Sequence, residues 1–376
     1  TAGNNASAVN KVGFELLVGA GRIRHNTFLS SPGDYGSGLA VNGAETGMCA
    51  VDLDNGKIWW GKEGTFFDSG DPANGTNAAF TNIDTSISWN FCFHVLNNNN
   101  CAINWGQQGF EFTPPTGFGR LCTADLPTEL VDNPREYFNT VTYDGNNGTQ
   151  SVSGVGFSPD WTWIKSRSGS YASNHYLVDN VRSSSYPFKR LYSNSTNSEG
   201  NTTDRFMSFD SDGFTVKMTG GGGGFTNGGS QSYVAWNWVE TASAGFDIRV
   251  YSGSGSAKTV SHTLGAVPHA MFVKTRTSGD HWAVYHQRIG NNKIIYLNLS
   301  NSQASSSGYW NNTTPTSSVF SVGNDNKTNK SGDSYVAYIF SEIQGYSKFG
   351  KYVGNGSSSN GTFVYCGFRP ALVIMK

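Results

Sequence analysis

Glycine, proline and lysine recur three times in one spacing, with the proline three residues after the glycine and the lysine six residues after the proline. The sets are Gly156, Pro159 and Lys165, then Gly265, Pro268 and Lys274, then Gly367, Pro370 and Lys376. Pro159 and Pro268 lie 109 residues apart, and Pro268 and Pro370 lie 102 apart. Such a period is too long for the rung of a solenoid and has the size of a small domain. Other landmarks keep phase with it. Tyr143-Asp-Gly145, Tyr251-Ser-Gly253 and Tyr352-Val-Gly354 open the copies, while Tyr233-Val-Ala-Trp-Asn-Trp238 and Tyr335-Val-Ala-Tyr-Ile-Phe340 close the first two.

Each copy reads as β structure. Charged residues and aromatics each make up 14% of the chain, and 47 glycines interrupt it, so the long Ala, Glu, Leu and Lys runs of helices are absent. Short apolar bursts alternate with Gly, Asn, Asp and Ser clusters, the pattern of antiparallel strands joined by tight turns. Residues 13–118 carry the same pattern. Their clearest hairpin runs from Gly47 to Gly61 with Asn55-Gly56 at the turn, and a second turn falls at Glu63-Gly64.

Three segments of this first region carry a resemblance. Val51 to Gly64, Ser69 to Gly75 and Asn104 to Phe118 are similar to the second half of a SPRY domain, in the version found in tailed-phage structural proteins. SPRY domains are bent β-sandwiches whose loops bind partners, and most are not enzymes. The repeats in turn resemble an uncharacterised tandem family of phage tail-fibre-like proteins. The resemblance implies a SPRY-like β-sandwich over 1–118; Pro127, Pro134 and the lapse of apolar pattern mark a linker over 119–134; and the landmark spacing places β repeats over 135–243 and 244–344 and the start of a third over 345–376. The expected fold class is all-β, with tandem antiparallel β-sandwich repeats of about 100 residues. The third copy stops at its recurring lysine and holds Leu372, Val373, Ile374 and Met375 with no following strands. The expectation is therefore a longer polypeptide, or a neighbouring subunit that covers this piece.

Charge and composition narrow the function. Formal net charge is −1 with scattered basic residues, which gives no footprint for a phosphate backbone, so nucleic acid is not an expected partner. No apolar run reaches the roughly 18 residues of a membrane span, and membrane insertion is not expected. The five cysteines form no Cys-x-x-Cys pair, so no metal is expected; Cys92 and Cys101 bracket a tip at Asn97 to Asn100 and could bridge a hairpin.

Candidates for chemistry each meet a plainer explanation. Asp52, Asp54 and Glu63 fail the EF-hand register because Gly56 falls at loop position 5 and not 6. Asp210 and Asp212 share a strand face, but Asp212-Gly213 lies in a hairpin turn. His281 with His286 and His262 with His269 fall on opposite faces of a strand, so neither chelates locally. The glycine run Gly220 to Gly224 has no Lys-Ser or Lys-Thr after it, and its place in the next copy is Asn- and Lys-rich, so it is a variable tip and not a phosphate cradle. Lys165, Lys274 and Lys376 recur, which favours a structural contact over a unique site. Trp161, Trp163, Trp236 and Trp238 have largely apolar counterparts and read as core.

No catalytic residue or cofactor is nominated. The expectation is a non-enzymatic structural and adhesion protein of a tailed-phage virion, a tail fibre or similar appendage. The expected partners are its own copies, as a homotrimer, other tail proteins, and a bacterial surface glycan or protein. Candidate contact residues are the loop tips and aromatics Trp60, Asn97, Asn98, Gly222, Phe225, Asn326 and Lys327. The alternatives are a glycan-degrading fibre enzyme and a purely architectural subunit.

Overall fold

The computed structural model describes residues 14–17, 22–25, 45–81, 83, 102–122, 131–168, 174–218 and 225–376. The chain forms two compact units, 1–128 and 129–376. Both are built from antiparallel strands, and the only α-helices among the described residues are single turns.

In the first unit β1 (Phe14–Leu17) pairs with β2 (Arg22–His25). A three-stranded sheet joins β3 (Gly47–Asp52), β4 (Lys57–Lys62) and β5 (Thr65–Phe66). The two turns divide their work differently from the expectation. Only Gly56 has positive φ in the first, where Asp52 bonds both the main chain and side chain of Asn55. Glu63 and Gly64 are both at positive φ, so the tight two-residue hairpin is the second turn. Trp59 is fully buried and its indole N–H donates to the Thr76 carbonyl at 2.8 Å.

The second unit opens with β6 (Phe138–Asp144), β7 (Thr149–Val152), β8 (Trp161–Ser166), β9 (Tyr176–Asp179) and β10 (Lys189–Tyr192). Next come β11 (Gly200–Asn201), β12 (Phe206–Asp210), β13 (Gly213–Lys217) and β14 (Ser232–Trp238). A six-stranded sheet has the order β11-β10-β9-β8-β14-β6, and β12-β13-β7 form a smaller one. Side chains from both sheets, among them Ile164, Tyr176, Phe206, Phe214 and Tyr233, meet in one buried cluster.

The remainder of the unit repeats this plan. It runs β15 (Phe246–Ser252), β16 (Lys258–Ser261), β17 (Ala270–Thr275), β18 (Ala283–His286), β19 (Lys293–Tyr296) and β20 (Ala304–Ser305), then α1 (Ser307–Trp310), β21 (Val319–Val322), α2 (Asn326–Asn329) and β22 (Ser334–Phe340). The large sheet has the order β15-β22-β17-β18-β19-β20 and the small one pairs β16 with β21. Strand for strand this is the order of the first half, with β12 lacking a counterpart. Tyr143 pairs with Tyr233 and stacks on it at 5.1 Å and 15° between planes; Tyr251 pairs with Tyr335 and stacks at 5.2 Å and 15°. The Tyr143 hydroxyl donates to the Thr226 carbonyl at 2.6 Å, and the Tyr251 hydroxyl to that of Thr328 at 2.7 Å.

The large sheets of the two halves bury their apolar outer faces against each other. Trp161, Trp163, Leu177 and Trp238 from one join Phe246, Phe272, Trp282 and Tyr338 from the other in a single cluster. The Trp161 ring stacks at 4.4 Å on both Trp238 and Tyr338. These tryptophans therefore act as core, each large side chain contributing roughly 1.5–3 kcal/mol by burial.

Residues 345–376, which carry the third set of landmarks, contain no regular strand. The segment has no central Tyr-Val-Ala strand, the one between β6 and β8 in the first half and between β15 and β17 in the second. Val353, Phe363, Tyr365 and Met375 are exposed in it, and Leu372 packs on the cluster between the halves.

Candidate functional site

The candidates nominated as contacts fall in both units. Trp60 is half-buried in the first unit, on β4. Asn97, Asn98 and Gly222, like the Cys92 to Cys101 tip, lie outside the described residues. Phe225 and Lys327 occupy equivalent places in the two halves, yet neither projects as a free tip. Phe225 stacks on Tyr192 at 6.0 Å beneath the Arg205 guanidinium. Lys327 Nζ stands 3.8 Å from Asp325 and 3.9 Å from Asp280, and the Asn326 carbonyl accepts from the Tyr335 hydroxyl at 2.5 Å.

Immediately after these two positions each half carries a clamp that the sequence conceals. Thr226-Asn227 and Thr328-Asn329 are fully buried. Asn227 accepts from the Asn146 N–H at 3.0 Å and donates to the Gly148 carbonyl at 2.9 Å; Asn329 accepts from the Ser254 N–H at 2.8 Å and donates to the Ser256 carbonyl at 2.6 Å. Each carboxamide thus pins the turn after the opening strand of its own half. A matching Thr-Asn pair 102 residues apart was the available signal. The unlike residues around it, glycine-rich in one copy and Asn- and Lys-rich in the other, hid it.

Of the recurring lysines, Lys274 makes a structural contact, and so does Arg276 two residues on. Lys274 is fully buried, donates to the carbonyls of Thr196 at 3.1 Å and Asp280 at 2.8 Å, and is pushed down to about 8 by burial. Arg276 holds Glu199 through two bonds of 2.7 and 3.0 Å. The Arg182 guanidinium meets Asp179 at 2.5 Å with both side chains fully buried, and the Tyr338 hydroxyl donates to the same carboxylate at 2.7 Å. These contacts tie the two halves together.

Paired carboxylates occur where the sequence reading did not look. Asp210, which ends β12, and Asp212, in the turn after it, are hairpin residues as expected: Asp210 accepts from Ser208 and Thr215, and Asp212 from the amides of Gly154 and Gly156. Glu240 and Asp247 face each other across the connection between the halves. Burial, and then the hydrogen bond to Asp247, push Glu240 up to about 7, while Asp247 is held low by Glu240, the Thr263 amide and Arg249. Protein groups engage both: Glu240 accepts the Ile248 N–H at 3.1 Å, and Arg249 lies 2.9 Å from Asp247. His175 and His269 serve as acceptors inside the fold. Trp163 donates to His175 at 2.8 Å, and the Glu342 N–H donates to His269 at 3.0 Å.

The open concavity with mixed lining lies on the first half. It is a cleft of about 630 Å³ between the β9–β10 connection and β12, lined by the polar Asn180, Ser184, Ser185 and Ser208 and by Tyr186, Phe188, Met207 and Phe209. The connection is anchored at its base. Asn180 bonds Asp160 through its N–H at 3.0 Å and its carboxamide at 2.5 Å, and the Arg182 N–H donates to Asp179 at 2.8 Å. The Ser183 hydroxyl donates to the Ser185 carbonyl at 2.9 Å. Phe188 is buried and meets Phe206 and Phe209 edge to face at 5.6 and 5.3 Å, while the Tyr186 ring is exposed. In the second half the corresponding connection is shorter, residues 287–292 against 180–188, and α1 stands between β20 and β21 where the first half has β12.

A family described as a domain of unknown function, DUF7483, matches residues 133–376. The chain belongs to this family. The match spans both halves of the second unit and the segment after them, so the Tyr–Tyr stacks, the Thr-Asn clamps and the cleft all lie within the DUF7483 region. No solved structure matches the chain.

Proposed function

We propose that this protein is a non-enzymatic structural and adhesion component of a tailed-bacteriophage particle, a fibre segment or similar appendage, that presents loops to a bacterial surface. In this reading 135–243 and 244–344 are two copies of one β-sandwich, and the region before them is SPRY-like. One observation carries it. Strand order, tyrosine stack and Thr-Asn clamp are the same in both halves, whereas the β9–β10 connection and β12 have no equal in the second. A scaffold kept constant under loops that differ suits display of binding surfaces. Glu240, Asp247, His175 and His269 are engaged by the fold's own groups. Self-association as a trimer belongs to the same reading, supported by the exposed apolar side chains of 345–376.

The test is adsorption. Purified protein, fluorescently labelled, is mixed with bacterial cells and with the phage particles they support. Saturable cell binding that blocks particle adsorption, without release of reducing ends from capsule or lipopolysaccharide, is the expected result. Release of reducing ends would replace this reading with a glycan-degrading enzyme, and absence of cell binding with a purely architectural subunit.

A further inference from the structure

We infer that the cleft between the β9–β10 connection and β12 binds a neutral, polyhydroxylated ligand, an oligosaccharide, with the Tyr186 ring against a sugar face. The chemistry of the lining sets the class. Ser184 and Ser185 are exposed and offer hydroxyls that both donate and accept, as sugar hydroxyls do, while Asn180 and Ser208, whose amide and hydroxyl donate to Asp160 and Asp210, keep oxygens that can accept. No Asp, Glu, Lys, Arg or His lines the cleft, so it has neither the cations an anionic ligand needs nor the carboxylates a cationic one needs. Those four polar side chains also disfavour a purely apolar occupant. Its 630 Å³ falls within the roughly 300–1,000 Å³ usual for small-ligand sites.

Geometry supplies the rest. Tyr186 stays 43% exposed at the rim although it is a large amphipathic ring, and its neighbours Phe188 and Phe209 form a floor fixed by edge-to-face packing. The connection that carries Tyr186 is tied down at Asp160 and at the buried Asp179–Arg182 pair, so little ordering remains for a ligand to impose. The second half, on the same strand order, has a shorter connection in place of one wall and α1 in place of the other. A feature present in one copy and absent from the other is not required by the scaffold. The cleft deepens the adhesion reading, on which the bacterial source of the sugar rests, but the lining chemistry stands apart from it.

The experiment applies the purified full chain to an array of immobilised neutral and anionic oligosaccharides, then titrates the strongest neutral one by calorimetry against variants. Tyr186 and Ser185 are exposed, so Tyr186→Ala and Ser185→Trp leave the core intact, and thermal unfolding checks this. The expected result is binding of a neutral oligosaccharide, weakened at least tenfold by Tyr186→Ala, abolished by the bulk of Ser185→Trp and kept within about threefold by Tyr186→Phe. Binding of anionic oligosaccharides alone, of none, or of neutral ones with equal strength to Tyr186→Ala and Ser185→Trp would overturn the inference. Cell adsorption of the same variants separates the two proposals. Cells bound equally by wild type and Tyr186→Ala leave adhesion standing without this cleft, whereas array binding without cell binding leaves the cleft without adhesion.

Discussion

At the scale of single residues, the strongest electrostatic commitment is the buried trio Asp179, Arg182 and Tyr338, which spans both halves. Removing one charge of a buried pair leaves the other under-compensated, and Arg182 would keep only Glu199 at 3.4 Å as a counter-charge, so Asp179→Ala is expected to destabilise the second unit by about 3 kcal/mol. Tyr338→Phe loses only the hydrogen bond, and its cost is expected nearer 1–3 kcal/mol because the acceptor is charged. Urea unfolding of the two variants measures both; equal and small losses would contradict the geometry. Glu240 gives a pH-dependent counterpart. Its folded pKa is raised to about 7 by burial and by its bond to Asp247, so the stability it adds is complete below the unfolded carboxylate range and is lost as pH rises through 7. Glu240→Gln keeps a donor for Asp247 and cannot ionise. The fall in unfolding midpoint between pH 5 and pH 8 is therefore expected to be smaller in Glu240→Gln than in wild type, and an unchanged pH profile would refute the assignment.

At the scale of elements, the glycine two residues after each landmark tyrosine shows why some signals survive in sequence. A Cβ on Gly145 would meet the Gly228 carbonyl oxygen at 2.1 Å, and one on Gly253 the Lys330 carbonyl oxygen at 2.0 Å. Backbone lies against both, so each of Gly145→Ala and Gly253→Ala is expected to cost about 1–3 kcal/mol. Gly354, the third landmark glycine, has nothing within 4 Å, and Gly354→Ala is expected to leave the unfolding midpoint unchanged. A large loss in that variant would mean that 345–376 packs as the other two copies do. Residues whose backbone permits only one type, or whose ring must fill one place, repeat visibly: Tyr143 and Tyr251, Gly145 and Gly253, Pro159 and Pro268. Thr226-Asn227 and Thr328-Asn329 do the same structural work, but a two-residue match inside unlike loops carries too little pattern to be read. The Glu240–Asp247 pair and the cleft were illegible for another reason. Glu240 and Asp247 flank the turn at Ala242–Ala244 with no pattern that marks them as a buried pair, and the cleft joins residues placed by strand order, such as Asn180 and Ser208, which no local period encodes. The contact faces of the two large sheets were hidden likewise, since Trp161 looks the same in sequence whether its partner is its own sandwich or the other half.

At the scale of the whole molecule, the second unit is built of antiparallel sheets, and its two six-stranded sheets share one aromatic cluster. A closely packed aromatic interior of this kind resists deformation, which suits the proposed role of holding loops toward a surface. The proposed trimer is checked by sedimentation equilibrium on the purified chain: three chains per particle are expected, and a monomer at high concentration would count against it. The assignment to a virion meets its most direct test in electron microscopy. An antiserum raised against the purified protein, with gold-labelled secondary antibody, is applied to phage particles from the lysed cultures that produce this chain. Gold is expected on tail appendages of intact particles, and particles that remain unlabelled, with all of the antigen left in the soluble lysate, would contradict the assignment.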